Sequence, residues 1–331
     1  MSAEPWLRRY GGRPDARRLL LCFPHAGGAA SAYRGWAAHL PPDVELWAAQ
    51  YPGRENRIAE PLVDTMDALV DALVAAVEPA LDRPVLIFGH SMGGSVAHEV
   101  AIRLAALRPG LVRRLVISAR PAPAAWTPRA DPVHRRDDDG VVAEVRALGG
   151  SADALADPQL RALLLPMIRN DFRLIETYRP NPAVLDVELV VLAGTDDVSL
   201  PVADTAGWSA ATTGRFARHV LAGDHFYLHD HLPEVIARVT APAETRSPHP
   251  MTDDPFTVDR LRGTIAEVLE LPVADVTPDA SLFELGLDSM KMMMLSVRWQ
   301  AHGVEIPFGD LAEHPTVEAW SALLGKAAAD R

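Results

Sequence analysis

Short, unbroken apolar runs alternate with longer helical patterns over the first 240 residues. The runs lack the polar–apolar alternation of a half-exposed strand, so they are typical of buried parallel strands. They cover residues 18–23, 85–88, 115–118, 189–192 and 219–221. Helical patterns lie between them, for example over residues 65–81 and 95–107. This order predicts an α/β fold with a mostly parallel sheet.

The pattern changes after residues 241–255, a stretch with four prolines and no apolar periodicity. Such a composition predicts an extended linker. The remaining residues, 256–331, show helical stripes at 256–269, 289–299 and 316–324 and no convincing strand, so they predict a small all-α bundle. The predicted organisation is therefore a first domain over 1–240, a linker over 241–255 and a second domain over 256–331.

Length and charge agree with two domains and narrow the possible partners. The chain has 331 residues and a formal net charge of −12, and its length alone predicts about two domains. From Thr252 onward it carries 14 acidic and 6 basic residues. An acidic balance argues against nucleic acid and anionic membranes as partners. No apolar run approaches the ~18 residues that span a bilayer, and no secretory signal begins the sequence, so we expect a cytoplasmic protein.

The single cysteine, Cys22, limits the chemistry further. One cysteine can form neither an internal disulfide nor a cysteine-based metal site. Cys22 lies within an apolar run, where it is interpreted as buried packing rather than as a nucleophile. The sequence predicts no metal.

The strongest chemical motif is Gly89-His90-Ser91-Met92-Gly93, between an apolar run and a helix. Glycines at these positions permit the sharp turn that exposes a nucleophilic serine at the top of an α/β sheet. Ser91 is therefore the predicted nucleophile, and the Met92 N–H a donor to an oxyanion. The loop at residues 23–28, after the first predicted strand, holds two glycines and supplies a second donor, the Ala26 N–H.

A serine nucleophile of this kind needs an acid and then a histidine later in the chain. Gly194-Thr195-Asp196-Asp197 follows one late apolar run, and His225 follows the next. Active-site groups collect in loops after the strands of such sheets, so His225 is the predicted base. Spacing alone leaves Asp196 and Asp197 both open as the acid.

Beyond these motifs, residues ~17–240 resemble a type II thioesterase of the α/β-hydrolase family, the stand-alone kind that serves polyketide and nonribosomal peptide synthetases. The matching segments, in the family's order, are FPHAGG from residue 23, YPGREN from 51, GHSMGG from 89, LADPQLRALLLPMIRNDFRLIETY from 155, AGTDD from 193 and GDHFYL from 223. The resemblance selects Asp197 as the acid and His225 as the base, and it makes residues 121–178 a lid. The chain departs from the family at residues 133–139, where a charge run typical of a solvated loop replaces a short Leu-Pro-Asp turn.

The second domain resembles an acyl or peptidyl carrier domain of the same assembly lines. The motif is FELGLDSM at residues 283–290, and the resemblance makes Ser289 the attachment site of 4′-phosphopantetheine. Without the resemblance, Ser289 is interpreted as a helix N-cap with Asp288 as an acid of the cap region, and the two roles are compatible. The form GLDSMKMMM with a later EHPT favours an aryl carrier. The methionines at 292–294 are interpreted as helix packing.

Together the two resemblances imply a thioesterase that hydrolyses acyl, aminoacyl or aryl thioesters on carrier domains, for editing or release. They imply three kinds of partner: acyl-loaded carriers in cis or in trans, nonribosomal peptide or polyketide synthetase enzymes, and a phosphopantetheinyl transferase. Two alternatives stay open. The first domain is an acyltransferase that passes the acyl group to an alcohol or amine, or the chain is chiefly a tethering protein whose triad is secondary.

Overall fold

A computed structural model describes residues 5–150, 153–241, 256–269, 271–300, 304 and 306–329. The chain divides into two compact units, Met1–Thr245 and Arg246–Arg331. Apart from Ala241, the linker predicted at 241–255 lies outside the described residues. No helix among the parts of the chain that the structure describes is long and apolar enough to cross a membrane.

The first unit is built on a seven-stranded sheet. Its strands are β1 (Leu7–Tyr10), β2 (Arg18–Phe23), β3 (Val44–Ala49), β4 (Val85–His90), β5 (Val112–Ser118), β6 (Glu188–Gly194) and β7 (Phe216–Leu221). They lie in the order β1-β3-β2-β4-β5-β6-β7, and every pairing except the antiparallel β1–β3 edge is parallel. The predicted mostly parallel α/β fold is confirmed.

Two strands of this sheet, β1 and β3, were not predicted from the sequence pattern. The edge strand β1 has the sequence LRRY, whose paired arginines break both an apolar run and an alternation. The other, β3, is buried along its whole length but includes Glu45. That carboxylate lies within 3.5 Å of Arg83, a neighbour that a strand pattern does not reveal.

Helices cover both faces of the sheet. Those of the first unit are α1 (Met66–Val77), α2 (Met92–Leu107), α3 (Asp138–Ala147), α4 (Pro158–Thr177) and α5 (Leu232–Thr240). Alternate residues of β2 point to opposite faces: Leu19 and Leu21 pack with α1 and α2, whereas Leu20 and Cys22 pack on the side of α5. The predicted helix at 95–107 in fact begins at Met92, immediately after Ser91.

The strand order places two loops side by side. From β2 the chain passes to β3 on one side and returns to β4 on the other, so the order reverses between β2 and β4. The register pairs Phe23 with Gly89, and both strands therefore end at the same level. Crevices at such switch points are where parallel α/β sheets bind their ligands. The loop after β2 and the turn at Ser91 meet there.

Residues 121–178 contain α3 and α4 and form an apolar cluster of their own, with Val133, Val141, Leu165 and Phe172 among its members. Residues 133–139 form a short helical turn and the start of α3 rather than a loop, although Arg135 and Asp137 to Asp139 are exposed, as expected of a charge run. Val133 is fully buried, and the Asp137 side chain caps α3 by accepting the Gly140 N–H at 2.8 Å. The next acids, Asp138 and Asp139, occupy the first turn of α3, where carboxylates interact favourably with the helix dipole.

The described part of the second unit holds helices joined by turns and no strand, as predicted. Its helices are α6 (Val258–Leu269), α7 (Ser289–Gln300), α8 (Phe308–Glu313) and α9 (Val317–Ala329). They enclose one apolar core in which the rings of Trp299 and Trp320 meet edge to face at 5.5 Å. The six-residue helix α8 was not predicted, because it is too short to show a hydrophobic period.

Candidate active site

Ser91 occupies a strained turn between β4 and α2. Its backbone has φ 56° and ψ −120°, a left-handed region that residues other than glycine rarely adopt. A Cβ at Gly89 would collide with the carbonyl oxygen of Gly93, and one at Gly93 would collide with that of Phe23. The motif therefore needs both glycines so that β4, α2 and the end of β2 can approach each other. Ser91 lines a cavity of about 450 Å³.

His225 and Asp197 meet beside the same cavity. Asp197 follows β6 and His225 follows β7, and both side chains are buried. The Asp197 Oδ2 and His225 Nδ1 atoms are 2.7 Å apart. Asp196 is exposed and its carboxylate accepts a bond from its neighbour Thr195. Geometry thus brings Asp197, and not Asp196, to His225.

Hydrogen bonds keep Asp197 ionised in this buried position. Its Oδ1 accepts the backbone N–H of Ser199 at 2.9 Å and the Ser199 hydroxyl at 2.6 Å. Burial alone would raise the pKa of Asp197, but the bonds from His225 and Ser199 outweigh it and lower that pKa. Ser199 was not predicted, since a serine two residues after an acid has no distinctive signal in sequence.

The far nitrogen of the imidazole is available. His225 Nε2 is buried, and no described residue is its hydrogen-bond partner. Both Ser91 and His225 line the cavity, although no hydrogen bond joins them in the described chain. Such contacts commonly tighten only when a substrate is bound. The arrangement is an imidazole held at Nδ1 by a carboxylate, with Nε2 unengaged beside a strained serine.

Two backbone amides are free next to this serine. Met92 is the first residue of α2, so its N–H has no carbonyl one turn earlier to bind. Ala26 lies in the loop after β2 and lines the cavity together with Met92. Neither N–H has a hydrogen-bond partner among the residues that the structure describes.

A buried ion pair holds the loop that carries Ala26. Asp171 of α4 receives both Nη atoms of Arg54 at 2.8 and 2.9 Å, and it also accepts the Gly27 N–H at 2.8 Å. Arg54 in turn donates to the Gly28 carbonyl at 2.7 Å. We call these four residues the loop clamp. The Arg54 and Asp171 side chains are 5% and 0% exposed, so the clamp is shielded from water.

The sequence contained both halves of the loop clamp without revealing that they meet. Arg54 belongs to the segment YPGREN and Asp171 to the segment IRNDF. They are 117 residues apart, and no periodicity or spacing links them. A resemblance marks such segments as characteristic, but only the fold brings them into contact.

Two neutral histidines, His25 and His90, lie near the catalytic candidate His225. His90 Nδ1 lies 2.9 Å from the Ser118 hydroxyl, which is 2.6 Å from the Tyr227 hydroxyl. Burial lowers the pKa of His90 well below its usual value and lowers that of His25 to about 4. Both imidazoles are therefore uncharged at neutral pH and add no cation beside His225.

In the second unit, the predicted attachment serine is exposed, and its side chain has no hydrogen bond to any residue that the structure describes. Ser289 is the first residue of α7. Asp288, not Ser289, caps the helix, because its Oδ1 accepts the Lys291 N–H at 2.8 Å. The alternative of Ser289 as the N-cap is thus wrong, and its hydroxyl is left facing solvent. The surface nearby is apolar: Met290, Met293 and Met294 are at least half exposed, so the expectation that the methionine run packs the helix holds for Met292 alone.

A mostly parallel sheet with a strained serine at the turn from β4 to α2 defines an α/β-hydrolase fold. The family model of the thioesterase domain matches residues 18–242, and that of the phosphopantetheine attachment site matches residues 259–324. The chain belongs to the thioesterase domain family, a class of thioester hydrolases, and it carries a carrier domain for 4′-phosphopantetheine in addition.

Individual relatives of the chain are also thioesterases. A probable cadicidin biosynthesis thioesterase of Streptomyces griseus is 43% identical over 237 residues, which are 71% of this chain but only 64% of that protein. Thioesterase PikA5 of Streptomyces venezuelae is 39% identical over 70% of this chain and 82% of its own length. Among solved structures, the type II thioesterase BorB from the borrelidin biosynthetic cluster superposes with a TM-score of 0.65 at 37% identity, over 71% of this chain and 96% of that one.

Proposed function

We propose that Ser91, His225 and Asp197 form the catalytic triad of a thioesterase that removes acyl groups from phosphopantetheine carriers. The observation that carries this proposal is the geometry of His225: Nδ1 is 2.7 Å from the Asp197 carboxylate, whereas the buried Nε2 has no partner among the described residues. A base oriented in this way accepts a proton from a neighbouring serine.

The Ser91 Oγ attacks the thioester carbonyl carbon while His225 Nε2 takes the hydroxyl proton. The Ala26 and Met92 N–H groups bind the oxyanion that forms. The C–S bond then breaks, and the leaving thiol, with a pKa near 8.5, receives the proton from His225. Water, deprotonated by His225, attacks the acyl-serine, and the free carboxylic acid leaves with Ser91 restored.

Residues 121–178 are the proposed lid over this site. They contribute Trp126, Leu164 and Phe172 to the cavity lining, so the acyl group enters a largely apolar chamber. They hold an apolar cluster of their own, while Leu174 and Ile175 at the end of α4 pack into the core of one sheet face and anchor the segment there. Exclusion of bulk water by such a lid strengthens the polar interactions within the site.

The second unit fits 4′-phosphopantetheine at Ser289. The hydroxyl is exposed, and the capping role is taken by Asp288, so modification of Ser289 leaves α7 capped. The arm supplies a thiol that holds an acyl group as a thioester. Attachment requires a phosphopantetheinyl transferase as partner, and we infer that both proteins work in the cytoplasm with a nonribosomal peptide or polyketide synthetase.

The tether makes the attached carrier a plausible substrate. The fifteen residues of the proposed linker reach roughly 20 Å as a coil and about 45 Å if proline extends them. Tethering at this range raises the effective concentration to about the millimolar level when geometry allows contact. We therefore propose action in cis, with carriers of other proteins as additional substrates.

Intact-protein mass spectrometry tests the proposal. The full chain is treated with coenzyme A and a phosphopantetheinyl transferase, loaded with an acyl group and followed over time, alongside Ser91→Ala and Ser289→Ala. We expect the arm on wild type and Ser91→Ala but not on Ser289→Ala. The acyl group should persist on Ser91→Ala and disappear from wild type. Equal persistence on both would contradict action in cis, and a conjugate formed with an added alcohol or amine would favour the acyltransferase.

A further inference from the structure

Arg120 is a half-buried cation held in a fixed position at the wall of the cavity. Ala119, with φ 51°, turns the chain directly after β5, and Arg120 follows it. The Arg120 Nε donates to the Ser95 hydroxyl at 2.9 Å, and its backbone carbonyl accepts the Trp208 indole N–H at 2.9 Å. Ser95 lies in the first turns of α2, close to Ser91. Arg120 lines the same cavity as Ser91.

No carboxylate of the described chain neutralises Arg120. The cavity's other arginine and two of its three acids have partners: Arg129 pairs with Glu144, and Glu176 lies beside His134 Nδ1, each at 2.6 Å. Asp204 also lines the cavity but is solvent-exposed, and it forms no ion pair with Arg120 in the part of the chain that is described. Beyond its bond to Ser95, the guanidinium has no hydrogen-bond acceptor among those residues.

An unpaired cation in such a place is unfavourable unless a ligand completes it. Burial lowers the pKa of Arg120 only to about 10, so the group stays charged at neutral pH. A half-buried charge loses part of its hydration, and no carboxylate replaces what is lost. A planar guanidinium with free Nη atoms matches a carboxylate, which it binds through two parallel hydrogen bonds.

We propose that Arg120 recognises a carboxylate on the acyl chain, and that the preferred substrates are therefore monothioesters of dicarboxylic acids. This inference rests on the proposed function, because it places the acyl group in the cavity beside Ser91. The phosphate of the carrier arm is the other anion on such a substrate. It lies at the opposite end of the arm from the thioester, whereas Arg120 lies beside the serine that attacks the thioester.

Matched substrates test this assignment. Succinyl and butyryl thioesters of N-acetylcysteamine are close in chain length and differ in a terminal carboxylate. Wild type should prefer the succinyl thioester in kcat/KM by about 10- to 100-fold, the range of a charge-assisted hydrogen bond. Arg120→Gln should lose that preference while still hydrolysing the butyryl thioester, which shows that the variant is folded. Arg120→Lys should retain part of the preference.

Arg129→Gln is the charge-matched control. Arg129 is also a cavity cation, but Glu144 engages it, so the succinyl-to-butyryl ratio should stay at the wild-type value. An unchanged ratio in Arg120→Gln would overturn the assignment. The assignment would also fail if Arg120→Gln lowered kcat/KM for phosphopantetheine thioesters of both acids but not for N-acetylcysteamine thioesters. The phosphate of the arm would then be the ligand of Arg120. If wild type hydrolyses neither thioester and Ser91 resists a fluorophosphonate probe, the proposed function itself fails.

Discussion

The two units place their serines in opposite surroundings. Ser91 has a strained backbone and lines a cavity, between amides and side chains that other elements hold in place. Ser289 begins a helix, faces solvent and has apolar methionines beside it. The first serine is organised to react within the protein, whereas the second is accessible to another enzyme.

Buried polar groups follow the same division. The first unit buries Arg54, Asp171, Asp197 and His225, whereas Ser296 is the one buried polar side chain among the described residues of the second. Buried polar networks fix a single geometry when every member is satisfied. A hydrolase needs that fixed geometry for its transition state, and a carrier only has to present its attachment residue.

The largest effect should follow from breaking the loop clamp. Asp171→Asn leaves Arg54 buried without its counter-charge, which typically destabilises by about 3–5 kcal/mol. It also weakens the support of the Ala26 amide, and loss of an oxyanion donor lowers kcat by roughly 10²–10³-fold. Thermal unfolding and steady-state kinetics on a small thioester measure both effects.

Glu188→Gln provides the control for stability alone. Glu188 pairs with the buried Arg114 at 2.7 Å, and it begins β6, at the end of the strand away from the cavity. We expect a lower melting temperature with kcat nearly unchanged. If Asp171→Asn and Glu188→Gln lowered kcat equally, the clamp would be structural and would have no role at the oxyanion site.

The second unit can be perturbed through adjacent methionines. Met292 is 5% exposed and belongs to the core, whereas Met293 is 58% exposed. Met292→Ala should therefore destabilise this unit by about 2–5 kcal/mol, and Met293→Ala by no more than about 0.5 kcal/mol. Calorimetry of the full chain resolves the unit's transition. A large loss for Met293→Ala would show that the exposed methionines pack against something else in solution.

Sequence patterns predicted those strands and helices whose buried residues form an uninterrupted apolar run or stripe. The strand at residues 18–23 was placed at its observed bounds, because five apolar residues follow Arg18 and a proline ends the run. Strands that contain charged residues were not predicted, because a pattern cannot show the tertiary contacts of those residues. Examples are Glu45 in β3 and the two adjacent arginines of β1. The methionine run was assigned to packing because composition does not tell which side of α7 faces the core.

For the site, residues at strand ends were predictable and their supports were not. Ser91 and His225 follow apolar runs in the required order, and the choice between Asp196 and Asp197 came from the family resemblance rather than from spacing. Arg120 and the loop clamp depend on contacts between segments distant in the chain. Such pairs have no local period or motif, so only the folded structure brings them together.

Acid should destabilise the first unit more than the second. His98 of α2 is 1% exposed, its ring packs against Trp208, and burial lowers its pKa to about 4. Since the unfolded pKa is near 6.5, the unfolded chain binds the extra proton first as pH falls. The full contribution of neutral His98 is present above pH 6.5 and is lost progressively between pH 6.5 and about 4, to a total of about 3 kcal/mol.

Calorimetry between pH 7.5 and 4 checks this separation. The transition of the first unit should fall to lower temperature on acidification more steeply than that of the second, where the described histidine, His314, is exposed. His98→Gln should flatten the dependence of the first unit. An equally steep dependence in this variant would show that other groups, such as the neutral His25 and His90, account for the acid sensitivity.

The smallest loss of activity should come from changing Ser199, whose hydroxyl contacts Asp197 of the proposed triad. Its hydroxyl donates to Asp197 Oδ1 at 2.6 Å and lies 3.2 Å from His225 Nδ1. Ser199→Ala keeps the backbone N–H bond but removes the hydroxyl, so kcat should fall roughly tenfold with little change in KM. Ser199→Thr should restore most of the lost kcat.

Ser209→Ala is the matched control. That exposed hydroxyl binds only the Ala206 carbonyl among the described residues, so its removal should leave kcat unchanged. A tenfold rise in KM at constant kcat would instead place Ser199 in substrate binding.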